Sequence, residues 1–337
     1  MIVVTGGAGF IGSNFIIDWL LRNDEKVLNI DNLSYAANLD HLKILDKDER
    51  YTFVKGDIND IVLLETVFNK FKPRAIVHFA AESHVDRSIT GPEVFIQSNV
   101  IGTYNLLNQS LNYWKQLSLK NEKTNFRFIH VSTDEVYGTL DNDEDLFTET
   151  SPYKPNSPYS ASKASSDHLV RAWHHTYNLP VITTNCSNNY GPHQHFEKLI
   201  PLIIKNAITE KKLPIYGDGM NIRDWLYVKD HCSGIMSVLD AGNIGETYNI
   251  GGWNEKSNIE VVKIICNILD GLYPRSDNRK YSELITFVTD RPGHDRRYAI
   301  DSSKIEKDLG WRPKETFESG IEKTIKWYLD YYKKQTK

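Results

Sequence analysis

The feature that most restricts how this chain can fold lies in its first 22 residues. Ile2–Thr5 has the pattern of a short buried strand, Gly6-Gly7-Ala8-Gly9-Phe10-Ile11-Gly12 follows, and Ile11–Arg22 then carries apolar residues at helical spacing. Gly7, Gly9 and Gly12 fit G-x-G-x-x-G, and Gly6, Gly9 and Gly12 fit the related G-x-x-G-x-x-G. Residues without Cβ permit a tight turn, close approach of backbone N–H groups to a pyrophosphate, and close helix–strand packing. The helix N-terminus then faces the anion. A plain turn would carry glycines too, but Asp31 stands 19 residues after Gly12, at the end of the next strand pattern, Val27–Ile30. A carboxylate there accepts a bond from a ribose hydroxyl. Asp31 would repel a 2′-phosphate, and Asn32-Leu33-Ser34 offers no Arg to receive one, which favours NAD+ over its phosphorylated relative. Asp57, after Phe53-Val54-Lys55-Gly56, could bond an adenine amino group or cap the end of its own strand.

Further strand patterns at Phe53–Val54, Ala75–Phe79 and Phe128–Ser132 alternate with helical ones, the longest at Val94–Trp114. Such alternation predicts an α/β fold with a doubly wound parallel sheet. Past Asn189 the texture changes, with turns at Gly191-Pro192, Gly217-Asp218-Gly219 and Arg291-Pro292-Gly293 and helical patterns at Asp230–Leu239, Asn258–Leu269 and Thr316–Tyr331. A length of 337 residues suits about two domains. We expect an NAD-binding Rossmann domain over 1–189, which could also receive segments near 223–250. A smaller, mostly C-terminal α/β domain is expected over 190–330, then a frayed charged tail over 331–337. Leu140–Thr150, with Asp141, Asp143, Glu144, Asp145 and Glu149, reads as a solvated acidic loop. Net charge is −4, which argues against nucleic acid as a partner. Three scattered cysteines, Cys186, Cys232 and Cys266, suit a reducing cytoplasm, and neither a secretion signal nor a membrane span is expected.

Tyr159 and Lys163 form a Y-x-x-x-K. Among 18 tyrosines this spacing arises about once by chance, and Tyr51 and Lys55 share it. Tyr51 and Lys55 sit in or near a strand, where four residues span roughly 13 Å. Tyr159 and Lys163 open a helical stretch, where four residues rise roughly 6 Å. Only the second pair can act together. An ammonium there would lower the phenol from about 10 toward working pH and make Tyr159 a base for a substrate hydroxyl. Lys163 could also bond the nicotinamide ribose.

Glycine fingerprint and Y-x-x-x-K together resemble the extended, sugar-nucleotide branch of the short-chain dehydrogenase/reductase superfamily. His78-Phe79-Ala80-Ala81-Glu82-Ser83-His84-Val85-Asp86 is similar to its strand-end signature, and Asn99-Val100-Ile101-Gly102-Thr103 to its following helix motif. Thr133-Asp134-Glu135 before Val136-Tyr137-Gly138 narrows the resemblance to nucleotide-sugar 4,6-dehydratases, because epimerases of the branch carry a small-residue run there. Removing a proton from carbon 5 and a hydroxide from carbon 6 needs one carboxyl as base and one as acid. A solvated acidic strand end is the bland alternative. Blocks along about residues 1–330 resemble the members acting on dTDP-glucose: Thr184–Pro192, Lys198–Pro201, Pro214–Gly219, Ile222–Trp225, Tyr248–Gly252 and Asp290–Tyr298.

The resemblance implies a hydro-lyase that passes a hydride from carbon 4 to bound NAD+ and back to carbon 6. Thr133, Asp134, Glu135, Tyr159 and Lys163 would be catalytic, with Glu135 the base and Asp134 the acid. The cofactor would lie against Gly6, Gly9, Phe10, Ile11, Gly12, Asp31, Asn32, Asp57, Ile58, Ala80, Ala81, Ser83, Asn99, Ser132, Cys186 and Asn188, besides Tyr159 and Lys163. The dTDP-glucose, or another nucleoside-diphosphate glucose, would lie against Ser83, His84, Thr133, Asn189, Lys198, Leu199, Pro214, Tyr216, Arg223, Asn258, Arg291 and His294. Arg223 and Arg291 could grip a diphosphate or serve as structural ion-pair partners. One segment departs from the family run Tyr-x-Phe-Pro-Glu-Lys: here it reads His193-Gln194-His195-Phe196-Glu197-Lys198. His193 and His195 read as solvated loop residues, and no metal is expected.

UDP-glucose dehydration, 4-epimerisation and a catalytically silent NAD-binding regulator are the other readings. Asp134 and Glu135 argue against the epimerase, and the full catalytic set argues against the regulator. A homodimer through the helical patterns at about Val94–Leu117 and Tyr159–Tyr177 is implied. The stripe His168, Leu169, Ala172 and Trp173 suits that interface, or ordinary packing.

Overall fold

The computed structural model describes residues 1–140 and 145–335. Its largest sheet contains β1 (Ile2–Thr5), β2 (Val27–Asp31), β3 (Tyr51–Lys55), β4 (Ala75–His78), β5 (Arg127–Thr133), β6 (Val181–Cys186) and a seventh strand, Thr247–Ile250. All pair parallel. From one edge the order is Thr247–Ile250, β6, β5, β4, β1, β2, β3. The chain runs outward from β1 through β2 to β3, then returns to place β4 on the other side of β1. This reversal leaves a crevice at the carboxyl ends of β1 and β4, where open α/β sheets bind ligands.

Strand residues alternate between two cores, as a period of two demands. Ile2, Val4, Val27, Val77, Ile129 and Ile182 pack on Phe15, Ile16, Trp19 and Leu20 of the helix Phe10–Arg22 and on the helix Val228–Ala241. Val3, Leu28, Ile76, Phe128 and Val181 pack on the helices Ile61–Phe71, Thr103–Gln116 and Pro158–Tyr177. Coverage of both faces explains the continuous apolar strands. Each buried aliphatic side chain contributes roughly 1.5–3 kcal/mol. A third core joins the strands Leu213–Tyr216 and Ile222–Tyr227 to the helices Leu199–Ile208, Asn258–Leu272 and Phe317–Gln335. From it the chain returns to the main sheet at Thr247–Ile250.

The long helical pattern of 94–114 is interrupted. Glu93–Phe95 and Thr103–Gln116 are α-helical, but Ile96–Gly102 widens into a π-helix, a form found often at functional sites. The last helix continues to Gln335, so Lys333 and Lys334 extend it instead of forming a frayed tail. Stacking of Trp327 on Tyr331 carries it onward, and cations suit a helix C-terminus. Thr336 and Lys337 lie outside the described residues. So do Asp141, Asp143 and Glu144 of the acidic stretch. Glu149 is no solvated loop carboxylate: its Oε1 accepts from the Asn249 N–H at 2.8 Å. Among the described residues, no helix is long and apolar enough to cross a membrane.

Candidate active site

A cavity of about 480 Å³ occupies the crevice. Its floor begins at the glycine turn. Gly6 adopts φ +73°, where only glycine is unstrained, and a Cβ there would fall 2.6 Å from the Ala80 nitrogen; a Cβ on Gly12 would fall 2.4 Å from the Gly6 carbonyl oxygen. The Ala8 N–H donates to Asp31 Oδ2 at 2.9 Å, and the Leu33 N–H to Oδ1 at 2.8 Å. These bonds aim the carboxylate into the crevice and oppose the upward push of burial on its pKa. Asp57 caps its own strand end: it accepts from Asn59 N at 2.8 Å and from Asn32 Nδ2 at 3.0 Å, while still facing the cavity.

The helix Pro158–Tyr177 starts where local chemistry sets it. Ser157 and Ser160 form a reciprocal capping box and Pro158 occupies the first turn. That start places Tyr159 and Lys163 on the cavity wall beside Thr133, Asp134 and Glu135, which follow β5. Lys163 acts on the phenol less than its carboxyl neighbours do. Its ammonium donates to the Val131 carbonyl at 2.9 Å. Burial pushes Tyr159 well above its usual value, Glu135, Cys186 and Asp134 add to the rise, and the Thr133 hydroxyl opposes it. Burial also lowers Lys163, and Asp167, one helical turn further on, works against that.

The two carboxyls differ in setting. Asp134 is 1% exposed. Burial holds it well above the ordinary carboxyl range, Glu135 and Asp224 push it further, and its Oδ2 has no hydrogen-bond partner. Glu135 is raised by burial as well, but Arg291, Lys198 and Arg223 all pull it back. Asp134 is therefore set to hold a proton, and Glu135 to lose one more readily.

Those cations come from distant segments. Lys198 donates to the Ser83 carbonyl at 3.0 Å. Arg291 donates to Asp86 Oδ1 at 3.0 Å, and its Nε is buried without a partner. Arg223 is buried, donates to the Asp295 carbonyl at 3.0 Å and stacks 4.3 Å above the Tyr298 ring. His84, Asn189, Leu199, Pro214, Tyr216, Asn258 and His294 also reach the cavity, as do Phe10, Ile11, Ile58, Ala80, Ala81, Cys186 and Asn188. Asn188 Oδ1 is buried without a partner, an acceptor left open for a ligand.

One sequence-selected residue is not on the wall. Asn99 spends its amide on Ser162 Oγ at 2.8 Å and on both backbone groups of Glu82, which clasps the π-helix to the Tyr159 helix. Nor is His193 solvated. It stacks on His41 with ring centroids 4.3 Å apart and meets Trp327 edge-on, because the loop folds back onto both cores. Asp86, Tyr35 and Glu197 line the cavity unforeseen. Asp86 and Glu197 lie inside motifs quoted above; Tyr35 carried no signal.

Comparison with known proteins places this architecture among sugar-nucleotide enzymes. The family model described as GDP-mannose 4,6 dehydratase matches residues 3–324. The dTDP-glucose 4,6-dehydratase of Neisseria meningitidis serogroup B is 57% identical over 331 residues, covering 98% of this chain and 93% of that one. The enzyme of the same name from Haemophilus influenzae is 57% identical over 330 residues, 97% of each chain. DesIV, the dTDP-glucose 4,6-dehydratase of Streptomyces venezuelae solved with NAD bound, superposes with a TM-score of 0.88. It is 46% identical and covers 98% of this chain and 97% of its own. The UDP-glucose 4-epimerase of Thermotoga maritima, solved with UDP-glucose, is 27% identical with a TM-score of 0.84 over 98% of this chain and 99% of its own. Because epimerases share the fold, the side chains of the cavity must distinguish the reaction.

Proposed function

The chain belongs to the GDP-mannose 4,6 dehydratase family, and from that premise we propose that it is a dTDP-glucose 4,6-dehydratase, a hydro-lyase using NAD+. The observation that carries the reading is the unequal pair Asp134 and Glu135 beside Tyr159 and Thr133. Epimerisation eliminates nothing and has no use for an acid and a base there. The glycine turn, the Asp31 carboxylate and the open Asn188 acceptor fit a dinucleotide. When bound, NAD+ supplies the acceptor and later the donor of one hydride.

The chain's own groups handle the protons. Tyr159 takes the proton of the sugar 4-hydroxyl, with Thr133 sharing its hydrogen bond. Lys163, anchored on Val131, holds positive charge one turn away. The ketone formed at carbon 4 acidifies carbon 5, whose proton Glu135 removes. Asp134 protonates the departing 6-hydroxyl, water leaves, and carbon 5 is reprotonated. The product is the 4-keto-6-deoxy sugar nucleotide. Arg223 and Arg291 supply guanidinium charge for the diphosphate. On this reading the cofactor lies mainly against residues 1–189 and segments near 223–250, and the sugar nucleotide mainly against 190–330.

The active form is a cytoplasmic homodimer in this proposal. Val94, Ile96, Ile101, Tyr104 and Tyr177 leave an exposed apolar patch on the two helical stretches named above, and the three cysteines are free. Light scattering on the purified protein tests the dimer. The reaction is tested with dTDP-glucose and no added reductant, followed by mass spectrometry, with UDP-glucose alongside. Loss of one water without accumulation of reduced cofactor is expected; an unchanged sugar nucleotide refutes the assignment.

A further inference from the structure

Three segments from different parts of the cavity wall meet at its outer side. Tyr35 stands on the loop after β2, Arg87 on the short helix Val85–Thr90 after β4, and Glu197 just before the helix Leu199–Ile208. The Arg87 guanidinium carbon lies 3.8 Å from the centroid of the Tyr35 ring. One of its nitrogens donates to Glu197 Oε1 at 2.8 Å. Glu197 Oε2 is buried, 3.4 Å from His84 Nε2 and 3.9 Å from His195 Nδ1. Tyr35, His84, His195 and Glu197 face the cavity. Arg87 lies behind that wall, its side chain 47% exposed.

A side chain that joins two walls without facing the interior acts on the contents only through those walls. One wall is the loop that begins at Asn32, directly after Asp31. The other carries Lys198. A guanidinium can stack on a ring by its face and donate from its edge at once, a combination an ammonium lacks. Resting on the reading above, in which the dinucleotide must stay in place between two hydride transfers, we propose that Tyr35, Arg87 and Glu197 form a strap that retains NAD+. It binds the cofactor loop to the sugar loop. Arg87 and Glu197 are then positioning residues, not catalytic ones.

The test loads parent and variants with NAD+, removes free nucleotide by gel filtration, and follows the nucleotide still bound over time. Arg87→Ala and Glu197→Gln release NAD+ about tenfold faster than the parent, the loss of one charge-assisted contact. Arg87→Lys, which keeps charge but not the planar face, also releases it faster, and this milder change covers the case in which Arg87→Ala fails to fold. Tyr35→Leu, which removes the ring face, releases NAD+ faster as well. Added NAD+ restores turnover of dTDP-glucose by Arg87→Ala, which a general packing defect would not allow. A folded Arg87 variant that holds NAD+ as long as the parent overturns the strap alone. A parent that takes up no NAD+ overturns the cofactor reading and the strap with it.

Discussion

Replacing Asp167 with Asn should move the alkaline limb of the pH–rate profile to lower pH. Asp167 is 4% exposed. It accepts from Ser132 Oγ at 2.8 Å and Tyr153 OH at 3.0 Å, and lies 3.0 Å from His130 Nε2. Burial lifts its pKa to about 6, and Lys163 pulls it down. The converse holds for Lys163: burial lowers it and the Asp167 charge raises it. Charges one helical turn apart, roughly 6 Å, attract by about 3 kcal/mol at an effective dielectric near 20, which is about 2 pH units. Asn keeps the size and the oxygen acceptor but not the charge. In the variant Lys163 therefore sheds its proton about 2 units lower in pH, and the alkaline fall in kcat should follow. Rates at saturating dTDP-glucose and NAD+ across pH 6–11, with circular dichroism at each pH, would measure it. A variant slower at every pH but with an unmoved alkaline limb would show that Asp167 only packs.

Asp134→Asn and Glu135→Gln should each lose dehydration by roughly 10²–10⁴-fold while still oxidising carbon 4. Reduced cofactor then appears without loss of water; a dehydratase rate near the parent's in either variant would refute the division. Gly12→Ala should purify with little bound NAD+, since its methyl would sit 2.4 Å from the Gly6 oxygen; full nucleotide content would contradict the cradle. Trp19→Ala, in the core between the sheet and the helix Phe10–Arg22, should cost about 3–5 kcal/mol in urea unfolding. The stacked His41 and His193 are held down by burial to about 4 and about 3. The unfolded chain binds protons below about 6.5 and the folded pair does not, so stability falls from pH 7 toward 4 by a few kcal/mol. His193→Phe should flatten that slope in urea midpoints taken at both ends.

Local pattern was enough for β1, the Phe10–Arg22 helix and β2, since each continuous apolar or helical-period run had one satisfactory way to be buried. It was not enough for β6. Thr183, Thr184 and Asn185 are buried polar residues; the Thr184 hydroxyl donates to the His130 carbonyl at 3.5 Å and the Asn185 amide to the Tyr153 hydroxyl at 3.2 Å, partners that lie far off in sequence. The Y-x-x-x-K spacing fixed the axial distance between Tyr159 and Lys163 but not the direction of the ammonium, which the Val131 carbonyl decides. His193 was misread because its partner, His41, is 152 positions away. Tyr35, Arg87 and Glu197 meet for the same reason of topology, beyond the reach of any local pattern.

The carboxyl pair shows where sequence and fold divide the work. Asp134 and Glu135 are neighbours on a short turn after β5, and nothing in the dipeptide assigns acid to one and base to the other. The strand end buries Asp134, and Glu135 and Asp224 each push it up more strongly than Arg223 pulls it down, so its proton stays. Glu135 sits within the influence of Arg291, Lys198 and Arg223, all from beyond residue 190. A Rossmann sheet alone would leave two raised carboxyls of the same kind. The cations from the later segments separate them, so the part of the chain that resembles a sugar-binding unit also makes Glu135 a base. Removing one of those cations, as in Lys198→Met, should then raise the pH at which Glu135 ionises and shift the acid limb of dehydration upward. Oxidation at carbon 4, which depends on Tyr159, should keep its own acid limb. Equal movement of both limbs would mean that Lys198 acts on the whole cavity and not on Glu135.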